Sequence, residues 1–150
     1  MISIRAANAA DANDLARLRA ASLIEQQYLR VPEQDAFVRS ATADFARLFA
    51  ADRLVAMLLL DDSSAVGSAC ATYFERLPYP EGTLHAELSG VYVAPGHRRA
   101  GHASRLVAAV VDAVRSSAAR KTFLRPSPAG RSLYARLGFV EDAVGVMSLA

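Results

Sequence analysis

The stretch Leu84–Val93 has strand character and runs straight into Pro95-Gly96-His97-Arg98-Arg99-Ala100-Gly101. An apolar stripe at helical spacing follows, made of Ala103, Leu106, Val107, Val110, Val111 and Val114. Thr122–Leu124 then reads as a short buried strand. Strand, glycine-containing basic turn, helix and strand make a βαβ unit, whose two strands pair in parallel through a helical crossover. That unit commits the chain to an α/β fold, with at least one helix packed on a sheet. The rest of the chain has to be arranged around it.

The segments before it read as an antiparallel meander with helices. Ile2 and Ile4 alternate with Ser3 and Arg5, the pattern of a short strand. Asp11 is placed to cap a helix carrying Leu15, Leu18 and Leu23. Pro32 suits the first turn of a second helix, where Phe37, Val38, Ala41, Phe45, Leu48 and Phe49 follow the 3.6-residue period and form a core stripe. Leu54–Leu60 and Val66–Phe74 read as strands joined by Asp61-Asp62-Ser63-Ser64. Leu77–Thr83 holds Pro78, Pro80 and Gly82 and reads as a loop. Pro128 starts a last helix through Leu133, Tyr134 and Leu137, with Gly138 as its C-terminal stop. Val144–Leu149 is expected to be a final strand. The expected architecture is a mixed, mostly antiparallel sheet with one late parallel βαβ crossover, flanked by about four helices, in a single domain over residues 1–150.

Composition narrows the class of function. The 150 residues are 53% hydrophobic and 21% charged, enough apolar material for one core. The net charge of +2 does not argue for a nucleic-acid partner. The longest apolar run, Leu54 to Leu60, is well short of the ~20 residues that cross a bilayer. The expectation is a cytoplasmic protein with no membrane partner. The single cysteine, Cys70, excludes an internal disulfide framework and a cysteine-rich metal site, and reads as a packed core thiol. His97 and His102 lack a third ligand nearby and read as solvated loop residues, so no metal is expected. Arginine outnumbers lysine sixteen to one, which fits the coding bias of a GC-rich bacterial source.

The placement of charge is more informative than its total. Residues 95–136 hold nine basic residues against one acid, Asp112, a local net of +8. Residues 1–94 carry a net of −4. A basic third in a near-neutral chain marks a site for a polyanion. The turn before the helix supplies the means, because helix-initial N–H groups lack intrahelical acceptors and sit at the positive end of the helix dipole. Gly101 admits a phosphate close to the backbone, Ala103 keeps the next position small, and Arg98, Arg99 and Arg105 add charge.

Two common phosphate cradles are excluded. Gly96 to Gly101 has the glycine spacing of a P-loop, but His102 and Ala103 stand where that loop needs Lys and then Ser or Thr. The dinucleotide fingerprint G-x-G-x-x-G is absent.

The stretch Val91-Tyr92-Val93-Ala94-Pro95-Gly96-His97-Arg98-Arg99-Ala100-Gly101-His102-Ala103 resembles the acetyl-CoA loop of the GNAT superfamily of N-acetyltransferases. Arg98, Gly101 and Ala103 fill its pattern of Arg or Gln, two residues, Gly, one residue, Gly or Ala. Ser132-Leu133-Tyr134-Ala135-Arg136-Leu137-Gly138-Phe139 resembles the family's second signature, a helix ending in Leu-Gly-Phe. The resemblance spans nearly the whole chain. It implies a GNAT-like splayed sheet that admits the pantetheine arm of acetyl-CoA between the two parallel strands. Val91, Tyr92 and Val93 would line that arm. Backbone N–H groups of Arg99, Ala100, Gly101, His102, Ala103 and Ser104 would hold the pyrophosphate. Ser127 stands where members often carry Asn, seven residues before the helix tyrosine, and Arg136 replaces the usual Lys.

The resemblance also implies roles. Tyr134 is the expected general acid for the departing thiolate, since a phenol is protonated at neutral pH. Glu87 is the candidate base, directly or through water. By strand alternation His85 and Ser89 share its face, and either could share the role. A backbone N–H near Val91 or Val93 is the expected oxyanion donor. The implied activity is acetyl transfer to a primary amine. Transfer of another acyl group, or a catalytically weak acyl-CoA-binding regulatory domain, are the alternatives. A polyamine, an amino acid, an antibiotic and a protein N-terminus all remain open as acceptor, and a homodimer is compatible with such a fold.

Overall fold

The computed structural model describes residues 1–142, Gly145 and residues 147–149. Its regular elements are β1 (Ile2–Ala6), α1 (Ala12–Glu25), α2 (Gln34–Ala50), β2 (Leu54–Asp61), β3 (Ser64–Glu75), β4 (Leu84–Val93), α3 (His102–Arg115), β5 (Lys121–Leu124) and α4 (Arg131–Arg136). The five strands form one sheet in chain order. Successive pairs are antiparallel from β1 to β4, and β4 pairs with β5 in parallel. The meander and the single late crossover stand as expected.

Alternation along the strands divides the core between the two faces. Leu59, Ala69, Ala71, Ala86 and Leu88 point to one face, where α3 lays Leu106, Val107, Val110 and Val114 on them. These four α3 side chains are buried, and each contributes about 1.5–3 kcal/mol by leaving water. Alanine at 69, 71 and 86 lets the helix approach the sheet closely. On the other face Leu54, Ala56, Leu58 and Cys70 meet Leu15 and Leu18 of α1. The buried Cys70 thiol is pushed up to about 12 by desolvation, so it rests in the core as a neutral group.

Three local expectations change. Asp11 occupies the position before α1, but its carboxylate makes no cap there. It accepts two hydrogen bonds from Arg5, both 2.8 Å, and one from the Asn8 N–H. Asn8 does the capping, accepting from Ala10 N–H at 2.9 Å ahead of a short 3-10 turn. The α2 stripe sits shallower than its period implies. Ala41 is its one fully buried position among the described residues, while Phe45, Leu48 and Phe49 pack at the margin. Of the strand expected over 144–149, Val144 and Val146 lie outside the described residues, and Gly145 and 147–149 belong to no helix or strand.

The sheet forks at its parallel junction. β5 pairs only with His85–Leu88. At the departure point β4 carries a bulge: Cys70 faces Ser89 and Ser68 faces Tyr92, so Gly90 and Val91 together oppose Ala69. Gly90 takes φ +64°, a left-handed value that suits glycine, and Ser68 Oγ donates to its carbonyl at 3.1 Å. The bulge redirects Val91–Val93 just where β5 stops accompanying them.

Candidate active site

The carboxyl end of β4 leads through a 3-10 turn, Pro95–His97, into the start of α3. Arg99 and Gly101 both adopt left-handed backbone, φ +64° and +75°. Gly101 precedes the helix and has no side chain to cap it. Regular helix bonding begins when Arg105 N–H donates to Gly101 O at 3.2 Å. The N–H groups of His102, Ala103 and Ser104 precede that bond and have no acceptor within the helix. They and the turn before them form a nest of donors at the positive helix end. A cleft of about 220 Å³ opens there, lined by Val93, Arg99, Gly101, Ala103, Leu133 and Arg136 among others. This donor set fits a diphosphate.

Two basic residues near the loop do something other than expected. Arg98 lines the cleft, but its guanidinium is already engaged by groups of the chain itself. Its Nε donates to Val93 O at 2.7 Å, its Nη2 donates to Glu25 Oε2 at 2.7 Å, and its guanidinium lies 5.6 Å from the Tyr92 ring centroid. Arg99 and Arg136 line the cleft beside it, with no ion pair, among the described residues, to an acid of the cleft. His97 is no solvated loop residue: its Nε2 lies 3.0 Å from Asp61 Oδ2, and its Nδ1 is buried. That hydrogen bond holds the Asp61 carboxyl below the ordinary carboxylate range and ties the turn to the end of β2.

Tyr134 is half-buried on α4 and packs against the α3 side of the core. Its placement follows from how the helix ends. Gly138, at φ +93°, donates to Ala135 O at 3.1 Å, and Phe139 donates to Tyr134 O at 3.0 Å. These two bonds form a Schellman ending, which explains Gly-Phe after the helix. The Phe139 ring meets the Tyr134 ring edge-on, centroids 6.0 Å apart. Burial raises the Tyr134 phenol above its ordinary value, so it carries its proton through the neutral range. Gly130 makes room for the ring, since a Cβ there would sit 3.0 Å from Tyr134 Cε2. Ser127 Oγ accepts from Gly130 N–H at 3.2 Å and so caps the 3-10 turn, Pro128–Gly130, that leads into α4.

Glu87 lies on the opposite face of the sheet, since its neighbours Ala86 and Leu88 point to the α3 side. It is partly exposed, and Arg125 Nη1 stands 3.4 Å from Oε1. The other two residues of this face differ sharply. Ser89 is exposed, whereas His85 has no exposed surface. His85 Nε2 lies 3.2 Å from Gly82 O, and its ring packs against Phe74 and Tyr79. His85 therefore anchors the loop before β4 and has no access to a substrate. Sequence reasoning passed over Arg125, Glu25, Gly130 and Asp61. Each acts through a partner distant in the chain or through the shape of a neighbour.

A larger cleft, about 390 Å³, lies at the other end of the sheet, between Asp52, Arg53, Tyr73, Phe74, Leu84 and Ser117. It opens at the amino end of β4 and the carboxyl end of α3. Ligands of open α/β sheets bind at the carboxyl ends of parallel strands, which favours the smaller cleft as the site. Among the described residues no group of three or more His, Cys, Asp or Glu is arranged to hold a metal ion, and no helix is long and apolar enough to cross a membrane.

These features define a mixed α/β fold that opens an anion cradle at the mouth of a forked parallel strand pair. The chain belongs to the acetyltransferase (GNAT) family, whose pattern matches residues 18–139. Solved structures share the fold from end to end. A predicted acetyltransferase with acetyl-CoA from Clostridium acetobutylicum aligns with a TM-score of 0.84 at 19% identity, over 99% of this chain and 96% of that one. A GCN5-related N-acetyltransferase from Ralstonia eutropha JMP134 aligns at 0.82 and 16% identity, over 99% of both chains. An aminoglycoside N-acetyltransferase in complex with CoA aligns at 0.73 and 23% identity, over 100% of this chain and 95% of that one. No curated protein sequence matches the chain.

Proposed function

We propose that this protein transfers the acetyl group of acetyl-CoA to a primary amine. The observation that supports the reading is the donor nest at Gly101 beside Val91–Val93, the stretch of β4 that β5 leaves unpaired, with Tyr134 packed on one face of the sheet and Glu87 on the other by strand alternation. The N–H groups of Arg99 to Ser104 bind the diphosphate, and Val91–Val93, unpaired by β5, line the pantetheine arm. Acetyl-CoA supplies an acyl carbon activated as a thioester.

Glu87 faces the side from which the amine arrives and takes its proton, directly or through a water. The nitrogen forms its bond to the acyl carbon, and the carbon–sulfur bond breaks. A backbone N–H at Val91 or Val93 stabilises negative charge on the carbonyl oxygen. Tyr134, kept neutral by burial, gives its proton to the sulfur, so the products are an amide and free CoA thiol. Acid and base on opposite faces suit a thioester held in the fork, reached by the amine from one side and by the phenol from the other.

The test is release of CoA thiol from acetyl-CoA across a panel of amines, with thermal stability read in parallel. Cys70 is buried and neutral, so it adds no signal to a thiol reagent while the protein is folded. Acetyl-CoA at about 100 times its Kd raises stability by ~2.7 kcal/mol. ATP with Mg²⁺ and NAD give far less. Stabilisation by ATP exceeding that by CoA would overturn the reading.

A further inference from the structure

Arg98 makes three contacts that none of the proposed catalytic steps uses. Its Nε holds the carbonyl that ends β4, its guanidinium lies against the Tyr92 ring, and its Nη2 grips Glu25, the last residue of α1. The first two contacts fix the direction of the side chain, and the third joins it to the end of α1. Beyond Glu25 the chain turns sharply through Gln27, at φ +65°, into the connection to α2. That connection presents Tyr28 and Val31, both largely exposed. Because α1 packs on the Cys70 and Glu87 face of the sheet, the connection flanks the side assigned to the amine.

We infer that the Glu25–Arg98 ion pair is a strut through which the cofactor loop positions the end of α1 and the connection that borders the amine site. The inference rests on the cofactor reading above and adds a positioning role for Glu25. Arg98 immediately precedes the nest residue Arg99, so a diphosphate that immobilises the nest also immobilises Arg98. Glu25 then loses freedom with it, and so do the residues that follow. Coupling of this kind needs no change of shape, because ordering one segment lowers the cost of ordering the next. The effect is bounded by the exposure of the pair: ion pairs in water contribute little, which limits the coupling to about fivefold.

Backbone amides report the effect without a known acceptor. Gln26, Gln27, Tyr28 and Leu29 N–H groups donate to Ser22, Ile24 and Leu23 carbonyls, so their hydrogen exchange reads opening of the end of α1. The probe is CoA itself, added to the wild-type chain and to Glu25→Gln, which keeps the shape and removes the charge. In the wild type, CoA slows exchange at residues 99–104 and, by about two- to fivefold, at 26–29. In Glu25→Gln the protection at 99–104 persists and the added protection at 26–29 disappears. Glu25→Asp, which keeps the charge, restores part of it. A purely structural role for Glu25 would shift the baseline at 26–29 and leave the CoA-induced change intact, and that result overturns the strut alone. Absence of protection at 99–104 in the wild type overturns the cofactor reading and the strut with it.

Discussion

Arg125 Nη1 stands 3.4 Å from Glu87 Oε1, so the carboxylate assigned to receive the amine already has a cationic partner. Arg125 follows the last residue of β5, at the point where that strand leaves β4. The end of β5 thus sets a guanidinium beside the carboxylate proposed as the base. An incoming ammonium has to compete with it.

That competition gives the first prediction. Arg125 is largely exposed, and such pairs contribute ~0–1 kcal/mol. Arg125→Gln should therefore lower KM for a cationic amine by up to about fivefold, with little change in kcat. Glu87→Gln should do the opposite and lower turnover, most severely at low pH, where few amine molecules are already deprotonated. Steady-state kinetics of both variants between about pH 6 and 9 check this. A Glu87→Gln enzyme with an unchanged pH profile would remove Glu87 from the reaction.

Gly101 supplies the second. Nothing lies within 4 Å of where its Cβ would be, so a side chain meets no clash in the free protein. The backbone is the constraint: at φ +75° a β-branched residue is strained by ~1–3 kcal/mol. Gly101→Val should stay folded with a lowered melting temperature. Its CoA affinity should fall by about tenfold or more, ~1.4 kcal/mol, because the side chain projects where the diphosphate must approach. Calorimetry on the folded variant measures both effects.

Much of this was legible in the sequence, because the signals were local. The βαβ unit is contiguous, its helix stripe keeps one period, and Gly138-Phe139 encodes a helix ending in adjacent residues. Side chains whose partners lie far along the chain were not legible. Arg98 reads as an unpaired nest charge until Glu25, 73 residues earlier, is seen to hold it. His85 reads as a companion of Glu87 until Phe74 and Tyr79 are seen to enclose it. Alternation gives the face of a strand residue, but not how deeply neighbouring loops bury it.

Asp11 gives a stability prediction. Hydrogen bonds from Arg5, and then from the Asn8 backbone, hold its carboxyl below the ordinary value, against the opposing effect of burial. A depressed carboxyl stabilises the fold above the unfolded value of ~3.9 and loses that contribution as pH falls through the lower folded value. Asp11→Asn should cost about 1 kcal/mol at neutral pH, since the exposure of Arg5 weakens the pair. It should also flatten the acid side of the stability profile. Urea unfolding between about pH 2 and 7 measures it, and an acid limb identical to wild type would contradict the assignment.

The most direct test of the whole account is the turnover of Tyr134→Phe with an amine that the wild type acetylates. The substitution keeps the ring that packs on Phe139 and removes only the hydroxyl. A proton given to the leaving sulfur matters in the transition state and little in the bound ground state, so its loss appears in kcat. If Tyr134 is that acid, kcat falls by roughly 10²–10⁴, with CoA affinity changed by less than about tenfold. Near-normal turnover in a folded Tyr134→Phe protein would contradict it.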